Sequence, residues 1–292
     1  MAVSLRAGRK GELAYIEHFG LQQAPFQTTP SPMFAFNSPS MIDGITQMRN
    51  VTVGRTGLGL VSGDVGYGKT TLARASEADL RSLAFDVAMF PAVPGNTRQT
   101  EASIIKDVAG RLELRKVRGN AADAYYNAIY EHALALDKRD RTVVVIIDDA
   151  QELKPTAIKT LLRLLSMQTL SSQLVQVLLF GQNPEMLVAV SNNRALHSRL
   201  AGHVELEPFA DDEVGDMLLH RLKIAGRSKT IFTPDAVVAI AAASKGIPRL
   251  ICRIAHDACI RAAARNAGSV TDDDISAAAT ALRHTDEVPN GE

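Results

Sequence analysis

The chain has 292 residues, enough for one large domain or two small ones around a sizeable buried core. Basic and acidic side chains balance to a formal net charge of zero, so no overall field marks a nucleic-acid or membrane-surface partner. No apolar run approaches the roughly 18 residues of a membrane-spanning helix, and residues 1–10 lack the apolar centre of a signal peptide. We therefore expect a cytoplasmic protein without a membrane span.

Its first segments are poor in regular secondary-structure signals. Residues 1–14 are mildly basic and typical of a flexible tail, whereas residues 15–37 combine prolines with aromatic residues. That mixture indicates an extended segment that is nevertheless packed against the body of the protein. Two roles remain open for it: simple cover of the core, or one wall of a ligand pocket.

A phosphate-binding motif follows the first predicted strand. An apolar run from Leu58 to Val61 predicts a buried strand, and the residues after Thr71 predict a helix. Between them lies the pattern G-x-x-x-x-G-K-T, in the strand–loop–helix context that a P-loop requires. Glycines allow backbone amides to surround a phosphate chain, and the helix N-terminus adds partial positive charge. The predicted nucleotide-binding residues are Gly63, Asp64, Val65, Gly66, Tyr67, Gly68, Lys69, Thr70 and Thr71.

Three side chains of this motif have distinct predicted roles. Lys69 is expected to reach the β- and γ-phosphates of a nucleotide, and the Thr70 hydroxyl to ligate Mg²⁺. Thr71 is placed to contact the α-phosphate. The motif therefore predicts binding of ATP with Mg²⁺, and the alternative is a chance glycine-rich turn.

Further helices and strands alternate along the chain after the P-loop. Helices are predicted at 99–114, 121–137 and 155–170, and strands at 83–90, 143–147, 174–180 and 203–206. From about residue 210 the pattern is wholly helical. Its helices begin near residues 211, 234, 248 and 272, and residues 284–292 are predicted to be a disordered tail.

Two carboxylates end the most apolar of these strands. Val143 to Ile147 are typical of a central parallel strand that is buried on both faces, and Asp148 and Asp149 follow at its carboxyl end. Open α/β sheets bind their ligands at that end, so Asp148 is predicted to hold Mg²⁺. Asp149 is predicted to orient the water molecule that attacks the γ-phosphate of the nucleotide. The alternative is a strand that ends in an Asp-Asp turn without chemistry.

Other candidate residues follow later strands. Gln182 lies directly after the strand at 174–180, where a polar side chain can contact the γ-phosphate or the attacking water; the alternative is a loop cap. Arg194 and Arg199 flank a short predicted helix, and an arginine delivered to a neighbour's phosphate stabilises transition-state charge. In isolation both would be ordinary solvated arginines.

The C-terminal helical region is locally basic, and it also contains both cysteines. Between Met217 and Gly268, nine basic residues face two acidic ones, a local net charge of +7. This surface could meet phosphates or an acidic partner, although solvated helix faces are the commoner explanation.

Cys252 and Cys259 are seven residues apart in one predicted helix, roughly 10 Å at about 1.5 Å per residue, which is too far for a disulfide. They are typical of core residues in a reducing compartment.

The combination of motifs resembles the AAA+ ATPases. It is most similar to the ExeA-like branch, which groups secretion and pilus-assembly ATPases with transposition regulators such as TnsC and TniB. The residues that carry the resemblance span about 15–283: Tyr15 to Leu21 with Pro25, Phe26 and Pro30; Gly63 to Thr71; Ile147 to Gln151; Gly181 to Glu185; Arg199; Leu206 to Phe209; and Gly246 to Leu250.

This resemblance implies a three-layer α/β P-loop NTPase domain with a parallel sheet, followed by a C-terminal helical lid. The expected division is a tail and extended segment at 1–37 that packs on the ATPase domain, the ATPase domain at 38–209, the lid at 210–283 and a tail at 284–292. It further implies that Arg249 contacts nucleotide from the lid and that Phe26 and Pro30 border the adenine. Arg199 becomes the likelier arginine finger for a neighbouring subunit, and Arg194 the second choice.

One residue departs from the family pattern. The family usually has Asp-Glu after this strand, whereas this chain has Asp148-Asp149. Aspartate is one methylene shorter, and such a displacement affects how well a water molecule is oriented. Hydrolysis is therefore expected to be slow, with ATP binding acting mainly as an assembly switch.

Three functions follow from these expectations. The first is an ATP-hydrolysing protein that forms a ring or filament of identical subunits, binds double-stranded DNA and recruits or activates a transposase. The second is a secretion or pilus-assembly ATPase that acts with a secretion-system partner. The third is a nucleotide-dependent adaptor that does not hydrolyse ATP.

Overall fold

The computed structural model describes residues 10–29, 31–91, 99–114, 117, 119 and 121–286. They fold into two compact units. Pro39–Glu207 form the α/β unit, and the described residues of Met1–Ser38 join Pro208–Glu292 in the helical unit. The chain therefore passes between the units twice, at Ser38–Pro39 and at Glu207–Pro208.

Helices and strands are numbered in chain order. The described helices are α1 (Lys10–His18), α2 (Pro39–Val53), α3 (Lys69–Ser82), α4 (Glu101–Arg111), α5 (Ala122–Asp137), α6 (Pro155–Leu164), α7 (Glu185–Asn192), α8 (Arg194–His197), α9 (Asp211–Ile224), α10 (Pro234–Ser244), α11 (Pro248–Ala264) and α12 (Asp272–Asp286). The strands are β1 (Leu58–Gly63), β2 (Asp86–Phe90), β3 (Val143–Ile147), β4 (Val175–Gln182) and β5 (Leu200–Glu205). Short 3-10 turns cover Pro32–Phe34 and Ala150–Glu152.

One parallel sheet organises the α/β unit, with the strand order β2-β3-β4-β1-β5. Because all strands run the same way, their carboxyl ends meet at one edge. β1 and β4 end side by side there, with Gly63 paired with Gln182. The P-loop and the Asp148-Asp149 pair follow strands that end at this same edge.

The interior strand β3 shows why helices cover both faces of the sheet. Its residues Val143–Ile147 are all fully buried, and alternate side chains of a strand point to opposite faces. Val143, Val145 and Ile147 join a core with helices α4 to α8, whereas Val144 and Ile146 join a second core with α2 and α3. The predicted three-layer α/β fold is confirmed.

Helices α9 to α12 form the helical unit together with α1, around a single hydrophobic core. Cys252 and Cys259 are free thiols in this core, and burial raises the pKa of both. Their packing agrees with the prediction that they serve as core residues.

The N-terminal segment packs differently from the prediction. Its residues Tyr15, Phe19 and Phe26 are at most 3% exposed and lie in the core of the helical unit, not in the cores of the α/β unit. Two arginines of the helical unit hold its backbone: Arg221 Nη1 donates to the Pro25 carbonyl at 3.0 Å, and Arg227 Nη1 to the Phe19 carbonyl at 2.6 Å. The N-terminal segment packs on the helical unit because its aromatic side chains complete the hydrophobic core that the four C-terminal helices form.

Some element ends also differ from the predictions. Helix α1 begins at Lys10, inside the stretch expected to be a flexible tail, because its later turns bury Tyr15 against the helical unit. Helix α12 continues to Asp286, past the expected end of the lid, and residues 287–292 lie outside the described residues. Helix α6 ends at Leu164, six residues before the predicted end, and Gln168 and Gln173 then pair as an antiparallel bridge.

Candidate functional site: the carboxyl edge of the sheet

The P-loop connects the buried strand β1 to helix α3. Its backbone has positive φ angles at Gly63 (156°), Gly66 (89°) and Gly68 (101°), which L-amino acids rarely adopt. Gly68 is the N-cap of α3 and no side chain caps this helix, so its first amide groups are available to an anion. Burial and the Asp64 carboxylate, which accepts a hydrogen bond from the phenol, raise the pKa of Tyr67.

The side chain of Lys69 folds back over the loop that precedes it. Its Nζ donates to the carbonyl oxygens of Gly63 and Asp64, both at 2.8 Å. The same ammonium acts electrostatically on Asp148, so the P-loop lysine and the carboxylate after β3 lie in one site. This is the convergence that the sequence predicted for a triphosphate.

Asp148 is a buried carboxylate with an unused oxygen. Its backbone amide donates to the Phe90 carbonyl at 2.9 Å, which continues the β2–β3 ladder, and the residue is only 1% exposed. Within the described residues its Oδ1 has no hydrogen-bond partner. Burial raises the pKa of Asp148 more than the hydrogen bond with Thr70 and the charge of Lys69 lower it.

An orphaned carboxylate oxygen beside a threonine hydroxyl fits a bound cation. Mg²⁺ prefers oxygen ligands and binds nucleotide sites through one or two protein groups with phosphate and water oxygens. The described part of the chain contains no cluster of three or more His, Cys, Asp or Glu side chains that could hold a metal ion. A cation held by Thr70 and Asp148 would therefore take its other ligands from phosphates and water.

Asp149 lies at the exposed rim of this site. It adopts a left-handed conformation (φ 51°) and begins the 3-10 turn Ala150–Glu152. Its Oδ1 accepts from Gln151 Nε2 at 3.4 Å, and Gln151 Oε1 accepts from the Gln182 backbone amide at 3.0 Å. Gln182 itself is half-buried at the end of β4, level with Gly63.

The structure thus adds Gln151 to the site, a residue to which the sequence analysis gave no role. The sequence feature that could have indicated Gln151 as a site residue is its position two residues after Asp149, within the stretch that carries the family resemblance. Its contact with Gln182 joins positions 31 residues apart, which no local pattern encodes.

The two arginine-finger candidates lie at the opposite edge of the sheet. The Arg199 carbonyl accepts from the amide of Leu58, the first residue of β1, and Arg199 Nη1 donates to the Ala195 carbonyl at 3.1 Å. Gly63, the first residue of the P-loop, lies five residues after Leu58 along β1, which is about 16 Å at about 3.3 Å per residue. Arg199 therefore lies too far to serve its own P-loop. Arg194 is exposed at the start of α8, five residues earlier.

The remaining predicted site residues belong to the helical unit. Arg249 is exposed in the first turn of α11, after the turn at Gly246. Phe26 is 1% exposed and its ring packs edge-on against Phe232 at 5.6 Å. Phe26 therefore covers the core of the helical unit, which is one of the two roles that the sequence left open for this segment. Pro30 lies outside the described residues.

Several basic side chains of the helical unit make contacts within that unit. Arg221 and Arg227 donate to backbone carbonyls of the N-terminal segment. Arg261 pairs with Asp257 at 2.7 Å and Arg265 with Asp274 at 2.6 Å. Four of the nine cations that suggested a basic surface therefore stabilise the unit itself.

The sheet and its covering helices have the fold of an α/β P-loop NTPase. A family model described as AAA domain matches residues 52–187, so this part of the chain is an AAA domain. A curated relative, general secretion pathway protein A of Aeromonas hydrophila, is 30% identical over 267 residues, which cover 91% of this chain and 48% of that protein. The resemblance that the motifs indicated is confirmed, and the chain spans about half the length of this relative.

Solved structures support the same fold. The Aeropyrum pernix ORC2 protein, in ADPNP-ADP complexes, is 19% identical with a TM-score of 0.63, over 86% of this chain and 72% of that chain. The Aeropyrum pernix ORC1 protein, solved in complex with DNA, is 18% identical with a TM-score of 0.61, over 85% of this chain and 67% of that chain. Identities this low establish the fold alone.

None of the helices that the structure describes combines the length and the apolar character that crossing a bilayer requires.

Proposed function

We propose that this chain binds ATP with Mg²⁺, hydrolyses it and assembles with copies of itself when nucleotide is bound. The observation that carries the proposal is the unpartnered Oδ1 of Asp148, buried beside Thr70 and within the field of Lys69. A buried carboxylate oxygen without a hydrogen-bond partner is costly in a structural role but suits a cation site.

Each residue of the site has a part in phosphoryl transfer. The P-loop amides and Lys69 bind the phosphate chain, and Thr70 and Asp148 would hold Mg²⁺, which supplies charge neutralisation when bound. Asp149 orients the attacking water from the exposed rim, and Gln182 lies near enough to Gly63 to sense the γ-phosphate. Because Asp149 has a shorter side chain than the usual glutamate, we expect slow turnover.

Two measurements test this core of the proposal. Calorimetry with ATP and Mg²⁺ should give binding that is lost in Lys69→Ala. Phosphate release by the wild-type chain should exceed that of the same variant. Binding without release above this background would favour the alternative function, a nucleotide-dependent adaptor, which the aspartate at position 149 keeps open.

The arginine candidates support assembly between copies. Arg199 lies at the amino edge of the sheet, so it can serve only the P-loop of another subunit. A mixture of Lys69→Ala and Arg199→Ala chains tests this, since each supplies what the other lacks. Phosphate release by the mixture above the sum of both separate variants supports a finger in trans. If Arg199→Ala alone retains full activity, Arg194→Ala is examined in the same way.

For the biological role we propose a DNA-bound transposition regulator that recruits or activates a transposase. The support is the family resemblance, the fold shared with a protein solved on DNA, and the basic residues of the lid that lie outside the four internal contacts, such as Lys223, Lys229 and Lys245. A mobility shift with duplex DNA at low salt, with and without ATP, tests it. An oligomer that ignores DNA under both conditions refutes it.

A second candidate role is that of a secretion or pilus-assembly ATPase. It is favoured by the 30% identity to general secretion pathway protein A, of which this chain spans about half. Co-purification with an inner-membrane secretion partner would support it. A neighbouring transposase gene, as opposed to a secretin gene, would count against it.

A further inference from the structure

Gln151 occupies the middle of the 3-10 turn after Asp149, and its side-chain amide is used at both ends. Nε2 donates to Asp149 Oδ1 at 3.4 Å, and Oε1 accepts from the Gln182 backbone amide at 3.0 Å. The residue is half-buried: its bond with Asp149 is exposed, and its bond with the Gln182 amide is partly buried. It therefore links the rim carboxylate to the end of β4.

The orientation of this amide is dictated by its partners. A backbone N–H can only donate, so it selects the oxygen of Gln151, and an ionised carboxylate can only accept, so it selects the nitrogen. The flipped amide would place two donors together at Gln182 and two acceptors together at Asp149. One side chain therefore satisfies two opposite demands only in this orientation.

The backbone of the turn is held separately, by Gln99. Gln99 Oε1 accepts from the Lys154 amide at 2.8 Å, and Gln99 Nε2 donates to the Glu152 carbonyl at 3.0 Å. Gln99 is only 6% exposed, which makes these two bonds well shielded from water. Because the turn has this independent support, the contact of Gln151 with Asp149 is not needed to keep it folded.

We propose that Gln151 is a positioning residue that acts through Asp149. Its amide fixes the Asp149 carboxylate relative to the end of β4, which is paired with the start of the P-loop at Gly63. A short aspartate depends more on such support than a glutamate, since a small displacement of the water-orienting group costs rate. This inference rests on the proposed hydrolytic function.

The test uses the full chain and two variants of Gln151. Gln151→Met removes both bonds, whereas Gln151→Glu keeps the acceptor for Gln182 but places a second carboxylate beside Asp149. The measured quantity is the affinity for ADP with Mg²⁺ and aluminium fluoride, a transition-state mimic, divided by the affinity for ADP with Mg²⁺. The matched control is Gln168→Met, an exposed glutamine after helix α6.

We expect both Gln151 variants to lower this affinity ratio by about tenfold while the affinity for ADP changes less than about twofold. kcat should fall with the ratio while KM stays constant. The control should leave both affinities unchanged. A Gln151→Glu variant equal to wild type would show that only the Gln182 bond matters and would overturn the proposal.

A double-mutant cycle separates positioning from a structural role. In the Asp149→Ala background, Gln151→Met should cause no further loss, because the group it positions is gone. An equal loss in both backgrounds refutes the proposal. If wild-type chain releases no phosphate, the hydrolytic function fails, yet the affinity ratio still decides the role of Gln151. If the wild-type chain binds ADP and the aluminium fluoride transition-state mimic with equal affinity, both the hydrolytic function and the proposed role of Gln151 are refuted.

Discussion

The ammonium nitrogen of Lys69 lies 2.8 Å from the carbonyl oxygen of Gly63, six residues earlier in the chain. A second bond of the same length joins it to the Asp64 carbonyl. These bonds hold the lysine over the loop at the carboxyl edge of the sheet. A phosphate that enters the loop therefore meets a cation already in place, and little side-chain entropy remains to be lost.

Replacing this lysine should weaken ATP binding more than ADP binding. We expect Lys69→Ala to lower ATP affinity by at least about tenfold, because a charge-assisted bond to the terminal phosphates is lost. Calorimetry with Mg²⁺ measures both affinities. The control is Lys159→Ala on the exposed face of α6, which should bind both nucleotides like wild type. Equal losses for both nucleotides would contradict the assigned reach of Lys69.

Asp148→Asn should stabilise the nucleotide-free protein while abolishing its Mg²⁺-dependent nucleotide affinity. Burial raises the pKa of Asp148 above its unfolded value, so the folded state binds the proton more tightly. Stability is therefore lost as the pH rises through the raised pKa, and the ionised group is a cost at pH 7. Removing a buried charge, one of whose oxygens has no hydrogen-bond partner, should add about 1–2 kcal/mol to the free energy of unfolding.

Urea denaturation at pH 7 with a metal chelator measures this gain. Asp149→Asn is the matched control: that residue is exposed, and we expect a change below about 0.5 kcal/mol. A loss of stability in Asp148→Asn would indicate that the contacts of the carboxylate with Thr70 and Lys69 outweigh the cost of burying its charge.

In the helical unit, Asp274 should stabilise the fold in a pH-dependent way. Burial alone would raise its pKa, but hydrogen bonds from Arg265 and Thr271 together lower it. The contribution is therefore present above the unfolded pKa and is lost as the pH falls through the lower folded value. We expect Asp274→Asn to lose about 1–3 kcal/mol at pH 7 and to approach wild type below about pH 4.

Urea denaturation across this pH range tests that expectation. The exposed neighbour Asp273 provides the control, and Asp273→Asn should be neutral at every pH. A pH-independent loss in Asp274→Asn would mean that packing, not the ion pair, is responsible.

Gly246 should tolerate no side chain. It has a φ of +70°, and an added Cβ would lie 2.1 Å from the Phe209 carbonyl oxygen, within the helical unit. We expect Gly246→Ala to destabilise the protein by about 3 kcal/mol or more, since backbone must move to relieve the contact. Gly268→Ala, where a Cβ meets nothing within 4 Å, should be close to neutral in the same thermal unfolding measurement.

The sequence by itself determined the parts of this protein that depend on local patterns. The strand, glycine loop and helix around Lys69 follow from short-range spacing, and the apolar run Val143–Ile147 predicted a strand buried on both faces. Because parallel strands share one carboxyl edge, the same patterns placed Asp148 beside the P-loop.

Only the tertiary structure decided which residues serve long-range contacts. Arg221 and Arg227 count as surface charge in the sequence, yet they donate to carbonyls 196 and 208 positions away, and Phe26 fills a core built by the C-terminal helices. The bond from Gln182 to Gln151 likewise joins the end of β4 to the 3-10 turn after β3. Local periodicity reports which face of an element is buried, but it carries no information about which distant segment will bury it.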